Sequence, residues 1–548
     1  MKKMYSEKRF SDFRELINNS ADKYGNRTAF EIKTPYSKKI NISYREFRQR
    51  FYTLCNQFLA SGLQGKRIAI IGKNCFEWVL SYVTAATVGI AVPLDKELKA
   101  ADIENFIQSA ACEAVCFADE MAANIPSCTM LKYRFSELIL QSEYTHKTDC
   151  NAVDNIIINK NEMQVLIFTS GTTGNAKGVC LSQFAILSDI YSTVRAVKIK
   201  PTDVTLSILP LHHTYECTLN CLLLLSRGAK IAYCDGLMKI QKNLAEYSPT
   251  VLVVVPALLK LLHKRLRLSI TQECPKKYKT LFETEGLQAA LSKTPFLIRR
   301  LICAKVKRAL GGKLRVFIVG AASLDTSLVN DFAALGIRTL QGYGLTECAP
   351  LLAGNNDFYW NPKSTGIAMP GIELKIDAPN ADGIGEILAK GDNIMLEYFN
   401  DPEATKNVFR DGWFCTGDLG RMDADGALYI HGRIKNVIVI ENGKNIYPEE
   451  LESRLTEHSE VGEALVVGTD DKEGVRVKAK IFPNMDFIKN LLGHIPSRKE
   501  IEDSVQAIVR KVNNQMPGYR RISIVDILEN PLEKTTTQKI KRYGGNLS

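Results

Sequence analysis

The 548-residue chain has no Cys-x-x-Cys pair among its 14 cysteines, and scattered cysteines in so long a chain do not form the disulfide framework of a small secreted domain. A reducing cytosol is the simpler setting. Cys112 with Cys116, and Cys217 with Cys221, have helical spacing but lack the further Cys or His ligands of a zinc site nearby, so they read as small buried residues. The opening MKKMYSEKRFSDFREL is charged and has no apolar core of the kind a signal peptide needs, which predicts no export. The longest uncharged stretch, 78–94, contains Ser81, Tyr82, Thr84, Thr87, Gly89 and Pro93 and falls short of a bilayer span. It predicts a buried helix leading into a strand. There is no internal repeat, and with 45% hydrophobic and 24% charged residues no tract is biased enough to be disordered. A chain of this length exceeds one hydrophobic core, so two or more domains are expected.

The formal charge is +11, from 71 basic and 60 acidic residues, and an excess of that sign raises nucleic acid or an anionic membrane as partners. Its distribution is uneven. Residues 257–315 hold 15 Lys or Arg against 3 Glu, while the remainder holds 56 basic against 57 acidic residues. No zinc-finger spacing, helix-turn-helix signal or aromatic-rich RNA motif accompanies the basic segment, which argues against nucleic acid. Within it, ALLKLLHKRLRL at 257–268 sets leucines at helical spacing among Lys260, Lys264, Arg265 and Arg267. A core-packing helix with a solvated edge has this pattern, and so does a helix lying on an anionic lipid surface.

From 42 to about 256, short β-branched runs such as RIAII, VLIF and VLVVV alternate with longer helix-like stretches, the pattern of βαβ units around parallel sheet. RVFIVG at 315–320 resumes the alternation after the basic segment. From about 365 to 432, ELKI, EIL and ALYI are short strands separated by Gly, Asp and Asn, which predicts a small antiparallel subdomain. VIVIENGKNI at 437–446 sets two apolar runs around an Asn-Gly turn signal, and Pro448, Glu449 and Glu450 suit the first turn of a helix. The remainder predicts strand, strand, helix, strand. The expected fold class is α/β: an N-terminal domain 1–432 of layered, parallel-rich sheets with a β-barrel-like subdomain at about 365–432, a boundary at 433–436, and a small α+β domain 437–548.

The segment TSGTTGNAKG at 169–178 follows an apolar run and precedes a predicted helix. Its glycines allow close backbone approach, its hydroxyls can bind phosphate oxygens and Lys177 adds positive charge. It is not the common P-loop, which needs Gly directly before Lys and Ser or Thr after it, whereas Lys177 lies between Ala176 and Gly178. Taken alone, such a stretch is as readily an ordinary loop.

The order of the other segments is more specific. QGYGLTE at 341–347, FCTGD at 414–418, GRIKNVIVIENGKNIYPEELE at 432–452 and EKTTTQKIKR at 533–542 follow it in turn. Together the five resemble the motifs of the adenylate-forming superfamily of acyl-CoA synthetases, adenylation domains and firefly luciferases, over nearly the whole chain. Adenylation brings a carboxylate onto the α-phosphorus of ATP, two anions meeting, so cations and a metal are required. The resemblance implies that Thr169, Ser170, Gly171, Thr172, Thr173, Gly174 and Lys177 form the loop around the β- and γ-phosphates. It implies that Glu347 ligates Mg²⁺, a hard-ligand match, with Thr346 on the α-phosphate. Tyr343 would stack on adenine within Gln341, Gly342 and Gly344, in a pocket lined by Gly320, Ala321 and Ala322, while Asp418 accepts the ribose hydroxyls with Arg433 alongside. Lys539 would reach the reacting carboxylate and α-phosphate during adenylation only, supplied by a mobile small domain that rotates about Lys435. Gly443 would then lie on the loop lining the thiol tunnel, so that one site serves two half-reactions.

LPLHHTYE at 209–216 resembles the family's acyl-pocket motif. His213 there closes the pocket, polarises the carboxylate, or is an ordinary packing histidine. No Asp stands in this motif where amino-acid-activating domains hold a substrate ammonium. DGWFCTGD at 411–418 and ALGGKLRVFIVGAASLD at 309–325 resemble the long-chain fatty acyl group, which points to a small-molecule fatty acid as substrate. The chain departs from the family pattern at Ala176, His212, Ser323, Asn436 and Gln538, none of which removes a charged catalytic group. The acceptor thiol is that of coenzyme A or of phosphopantetheine on an acyl-carrier protein. An aryl or other acid is the alternative substrate, and a silent nucleotide-binding scaffold of the same fold the alternative role, although retention of Lys177, Glu347, Asp418, Arg433 and Lys539 argues against the scaffold. The expected location is cytoplasmic, with peripheral contact at an anionic membrane.

Overall fold

The computed structural model describes all residues except 1–3, 34–37, 128–129, 143–149, 170–175, 274–280, 282–286, 321, 323, 441–443, 472–473, 535–539, 543–545 and 547–548. The chain divides into two compact units, Met1–Glu373 with Lys390–Phe414, and Leu374–Ala389 with Cys415–Ser548. The edges of that division fall within the β-rich stretch 365–432.

The first unit is built on two large sheets. A nine-stranded sheet runs Ile367–Ala368, Leu351–Gly354, Arg338–Gly344, Val316–Val319, Val251–Val254, Val204–Ser207, Lys230–Tyr233, Thr28–Lys33, Lys39–Ser43. Its pairs from Arg338–Gly344 to Thr28–Lys33 are parallel, and those at either edge antiparallel. All four residues of Val251–Val254 are fully buried, as expected of a parallel strand covered on both faces, so the run is apolar throughout rather than alternating. A seven-stranded sheet runs Glu397–Tyr398, Lys177–Leu181, Val165–Thr169, Ile90–Leu94, Arg67–Ile71, Ala114–Phe117, Leu131–Arg134. The uncharged stretch 78–94 is the buried helix Phe76–Val88 followed by strand Ile90–Leu94.

Val251–Val254 and Val316–Val319 are parallel neighbours in register Val251↔Val316. The basic segment is therefore a crossover between adjacent strands, formed by helices Pro256–Glu273, Leu287–Ser292 and Phe296–Ala309. Leu258, Leu259, Leu262 and Leu266 of its first helix lie in the hydrophobic core with Ile302 and Val306 of its last. The leucine stripe is thus a core-packing face. The exposed apolar side chains of the segment are instead chiefly Phe296, Leu297 and Leu301, at 63%, 72% and 69%.

In the second unit, the strand ending at Met422 pairs antiparallel with Leu428–Arg433. The two apolar runs around the Asn-Gly signal form strands Ile438–Val439 and Asn445–Ile446, antiparallel neighbours. Pro448 and Glu449 open helix Pro448–Thr456. Val461–Asp471 and Gly474–Pro483 make a long hairpin joined in parallel by Ile524–Ile527, and helix Arg498–Asn513 packs into the same core. Between the hairpin and the last strand the sequence predicts one helix, and the structure has two. Gly493, at φ +76, ends Met485–Leu492, and Ser497 starts Arg498–Asn513 with a reciprocal capping box to Glu500. Among the described residues no helix is long and apolar enough to cross a membrane.

Candidate functional site

In the first unit the sequence motifs sit at the C-terminal ends of parallel strands, where open α/β sheets take ligands. Gly320 directly follows Val319, whose cross-strand partner is Gln341. Gly320 is buried, and an added Cβ would lie 3.1 Å from the Tyr215 ring. The Tyr215 hydroxyl donates to Ile318 O at 3.0 Å and Val254 O at 3.2 Å, so a residue of the LPLHHTYE segment ties two strand ends together. Ala322 is exposed, and Tyr343 is half-buried opposite Ala353. Gly344 is required by close approach, because a Cβ there would lie 1.7 Å from Pro350 O.

Thr169 ends strand Val165–Thr169 and Lys177 begins Lys177–Leu181. The two are register partners, with Thr169 Oγ1 donating to Lys177 O at 3.4 Å. Ser170, Gly171, Thr172, Thr173 and Gly174 lie outside the described residues, as do Ala321 and Ser323 of the adenine-pocket segment.

Glu347 sits in the 3₁₀ turn Thr346–Cys348, where both it and Thr346 are half-buried. That turn is held by the segment 393–398. Asn393 Nδ2 donates to Cys348 O at 2.7 Å and Leu351 O at 2.9 Å, and Met395 N donates to Glu347 O at 2.7 Å. Tyr398 then reaches the side chain itself, its hydroxyl donating 2.9 Å to Glu347 Oε1. Strand Glu397–Tyr398 pairs with Lys177–Leu181 through Tyr398↔Val179, and Lys177 Nζ stands 4.5 Å from the Tyr398 ring centroid. One buried tyrosine therefore touches the lysine of one motif with its face and the carboxylate of another with its hydroxyl. Nothing in the sequence singled out Tyr398.

In LPLHHTYE, His213 precedes the short helix Thr214–Glu216 and is half-buried, its ring centroid 4.0 Å from that of His212. Burial, with Lys96 adding repulsion, pulls the His212 imidazole down to about 3, so it is neutral. Glu216 is fully buried, and its Oε1 accepts from Ser207 Oγ at 2.6 Å and Asn220 Nδ2 at 2.7 Å. Burial pushes its carboxyl up to about 7.

In the second unit, Asp418 and Arg433 are cross-strand partners, and Arg433 Nε lies 2.8 Å from Asp418 Oδ1. Gly417, at φ +71, takes the left-handed conformation just before Asp418. Thr416 Oγ1 donates to Ile387 O at 2.8 Å and accepts from Asp418 N at 3.1 Å. Asp418 is 5% exposed, so Arg433 supplies the charge partner that a buried carboxylate requires. Lys435 is exposed in the single turn Ile434–Asn436 that follows. Asn436 Nδ2 donates to Glu449 Oε1 at 2.5 Å, so the asparagine found where the family has an acid is occupied with helix Pro448–Thr456. Gly443 and Lys539 lie outside the described residues, as does Gln538. The residues flanking 535–539 are paired, Lys534 with Ile540 across an antiparallel bridge and Lys541 N to Glu533 O at 2.9 Å.

A carboxylate and a lysine held on one tyrosine beside a Gly/Ser/Thr-rich connection can take a polyanion with its counter-ion, in an α/β body that is not of the P-loop class. The AMP-binding enzyme family matches residues 17–399, and the AMP-binding enzyme C-terminal domain matches residues 435–544. The chain belongs to the AMP-binding enzyme family. It is 32% identical over 326 residues to long-chain-fatty-acid–CoA ligase 1 of Cavia porcellus, covering 56% of this chain and 46% of that protein, so the match spans about half the length of that relative. To long-chain-fatty-acid–CoA ligase FadD15 of Mycobacterium bovis it is 26% identical over 532 residues, covering 88% of this chain and 87% of that protein. ATP-bound MatB from Rhodopseudomonas palustris shares the fold at a TM-score of 0.75, with 23% identity over 96% of this chain and 97% of that chain.

Proposed function

We propose that the chain is an ATP-dependent acid:thiol ligase that converts a medium- or long-chain fatty acid to an acyl-adenylate with release of pyrophosphate, then passes the acyl group to coenzyme A. The observation that carries this reading is the meeting of Lys177 and Glu347 on Tyr398. Adenylation needs a cation and a metal-binding carboxylate close to one polyphosphate, and these are the residues by which the phosphate and adenine motifs of the sequence would supply them. Glu347, a half-buried hard oxygen donor, fits Mg²⁺, which when bound would neutralise phosphate charge. Thr346 would face the α-phosphate, Tyr343 the adenine, and Asp418 with Arg433 the ribose. Lys539 would serve adenylation alone, with Lys435 as the hinge at 433–436 and Gly443 on the thiol path. The names of the two ligase relatives support a fatty acid and coenzyme A. An acyl-carrier protein as acceptor and an aryl acid as substrate are the competing versions.

The test is acid-dependent pyrophosphate exchange over a panel of saturated, aromatic and amino acids, followed by thioester formation with coenzyme A and with a carrier protein. Exchange driven by fatty acids and a coenzyme A thioester are expected. Exchange with no acid in the panel would leave only the silent scaffold. A reversible membrane contact is proposed as part of the same reading, supported by the exposed Phe296, Leu297 and Leu301 in the basic segment. It predicts flotation with anionic but not neutral vesicles, and binding indifferent to lipid charge would refute it.

A further inference from the structure

Residues 208–213 join strand Val204–Ser207 to helix Thr214–Glu216 and end on the histidine pair of LPLHHTYE. The connection closes on itself through His213 N, which donates to Pro210 O at 3.2 Å. A side chain from elsewhere holds it as well. Asn74 Nδ2 donates to Leu209 O at 2.6 Å and to Ser207 Oγ at 2.9 Å, and Asn74 Oδ1 accepts from Leu211 N at 3.1 Å. The orientation of this amide is fixed, because reversing it would set oxygen against Leu209 O and N–H against the N–H of Leu211. Asn74 lies just past strand Arg67–Ile71 of the seven-stranded sheet, whereas Ser207 ends a strand of the nine-stranded sheet. One half-buried side chain therefore reaches from one sheet to the loop that leaves the other.

The far side of the histidine pair is tied to the same hydroxyl. Ser207 Oγ donates to Glu216 Oε1 at 2.6 Å, that oxygen also accepts from Asn220 Nδ2 at 2.7 Å, and Thr205 Oγ1 donates to Asn220 Oδ1 at 2.6 Å. Thr205, Ser207, Glu216 and Asn220 are all buried. Hydrogen bonds in a dry interior are strong and directional, so the chain of bonds from Asn74 to Asn220 admits little play. His212 and His213 stand between its attachments at Leu211 and Glu216. We propose that Asn74 is a positioning residue for His213: holding Leu209 and Leu211 from the neighbouring sheet, it fixes where the imidazole meets the acid. Without the amide, the carbonyl of Leu209 and the N–H of the buried Leu211 lose this partner, and a loop that shifts to recover one carries the next two residues with it. A histidine displaced by a fraction of an ångström meets the acid less well, while strands Val165–Thr169 and Lys177–Leu181 of the phosphate motif keep their own pairing. The inference rests on the reading of LPLHHTYE as the acid-side segment of the ligase.

The experiment measures acid-dependent pyrophosphate exchange by the full chain and by Asn74→Ala, Asn74→Asp, His213→Ala and the double variant Asn74→Ala with His213→Ala, titrating fatty acid and MgATP separately. Asn74→Ala is expected to raise the fatty acid needed for half-maximal exchange about tenfold, with the MgATP requirement within about twofold of wild type. Asn74→Asp has the same shape but sets oxygen where the two donated bonds began, so it should be at least as impaired, and it carries the comparison of acid with MgATP if Asn74→Ala does not fold. In the double variant, Asn74→Ala should add less than about twofold to the loss caused by His213→Ala. An Asn74→Asp variant that behaves like wild type overturns the proposal, since shape alone would then suffice. So do comparable losses on acid and MgATP, losses that multiply in the double variant, or failure of both Asn74 variants to fold in a thermal unfolding control. His213→Ala separates the two readings. An unchanged acid requirement in that variant defeats the reading of the segment, whereas a changed one with Asn74→Ala unaffected defeats only the role given to Asn74.

Discussion

Tyr398→Phe isolates one hydrogen bond and leaves the rest of the residue in place. The phenyl ring keeps its position under Lys177, 4.5 Å from the ring centroid, and the backbone N–H of Tyr398 keeps its bond to Thr405 Oγ1 at 2.9 Å. What is lost is the hydroxyl's 2.9 Å bond to Glu347 Oε1. A hydrogen bond to a charged group contributes about 1.5–3 kcal/mol, or roughly 10- to 150-fold in a rate. Glu347 is half-buried, so water can replace part of the loss, and the lower end, about tenfold in kcat/KM for MgATP, is expected. Tyr398→Leu also removes the ring from Lys177, a further loss of about 0.5–1 kcal/mol, or roughly two- to fivefold. The assay is pyrophosphate exchange, with thermal unfolding and thioester formation from supplied acyl-adenylate as controls. If Tyr398→Phe stays within about twofold, or if leucine is no worse than phenylalanine, the tyrosine is a packing residue and the coupling of the two motifs through it is wrong.

Lys539→Ala should slow acyl-adenylate formation about a hundredfold while sparing thioester formation from supplied acyl-adenylate, and equal loss in both would refute a lysine used in one half-reaction. Asp418→Ala should weaken ATP by about 1.5–3 kcal/mol, and 2′-deoxy-ATP should lose much less in the variant than in wild type; losses that simply add would remove Asp418 from the ribose. Glu216 has a folded-state pKa raised to about 7, above its ordinary 4.5. The unfolded chain therefore releases this proton first, and Glu216 lowers stability as pH climbs from about 4.5 to 7, with no further effect above. Glu216→Gln should then gain on wild type between pH 5 and pH 8, by up to about 3 kcal/mol, seen as a smaller fall in Tm; a parallel shift at both pH values would refute the assignment.

The fold was legible where burial leaves a mark on composition. After its leading Arg67, RIAII is apolar at every position, as are VLIF and VLVVV, because strands inside these sheets are covered on both faces, and each run supplies a sheet strand. The basic segment was legible as an interruption, since RVFIVG after it pairs directly with VLVVV before it. Its leucines were not assignable, because a helix facing a core and a helix facing lipid show the same period, and only packing against Ile302 and Val306 decides between them. The second helix of the small domain was missed although Gly493, Ser497 and Glu500 spell a stop followed by a capping box.

The site divides along a physical line. Residues expected to touch phosphate, ribose or metal gather in contiguous motifs, because a loop that wraps a ligand offers several donors in a row; Asp418 and Arg433 come from two such motifs and prove to be cross-strand partners. The residues that hold the motifs have no such reason to be contiguous. A turn cannot brace itself, so its support must come from another element, and Tyr398 lies 51 residues from Glu347 while Asp189 lies 162 from Leu351. By type they are an ordinary tyrosine in a short strand and an ordinary aspartate in a helix. Only when the strand carrying Tyr398 is paired beside Lys177 does its hydroxyl acquire a carboxylate, and only when helix Gln183–Ala196 is buried does Asp189 accept the backbone N–H of Leu351. Such residues become visible only through the hydrogen bonds they complete across the fold.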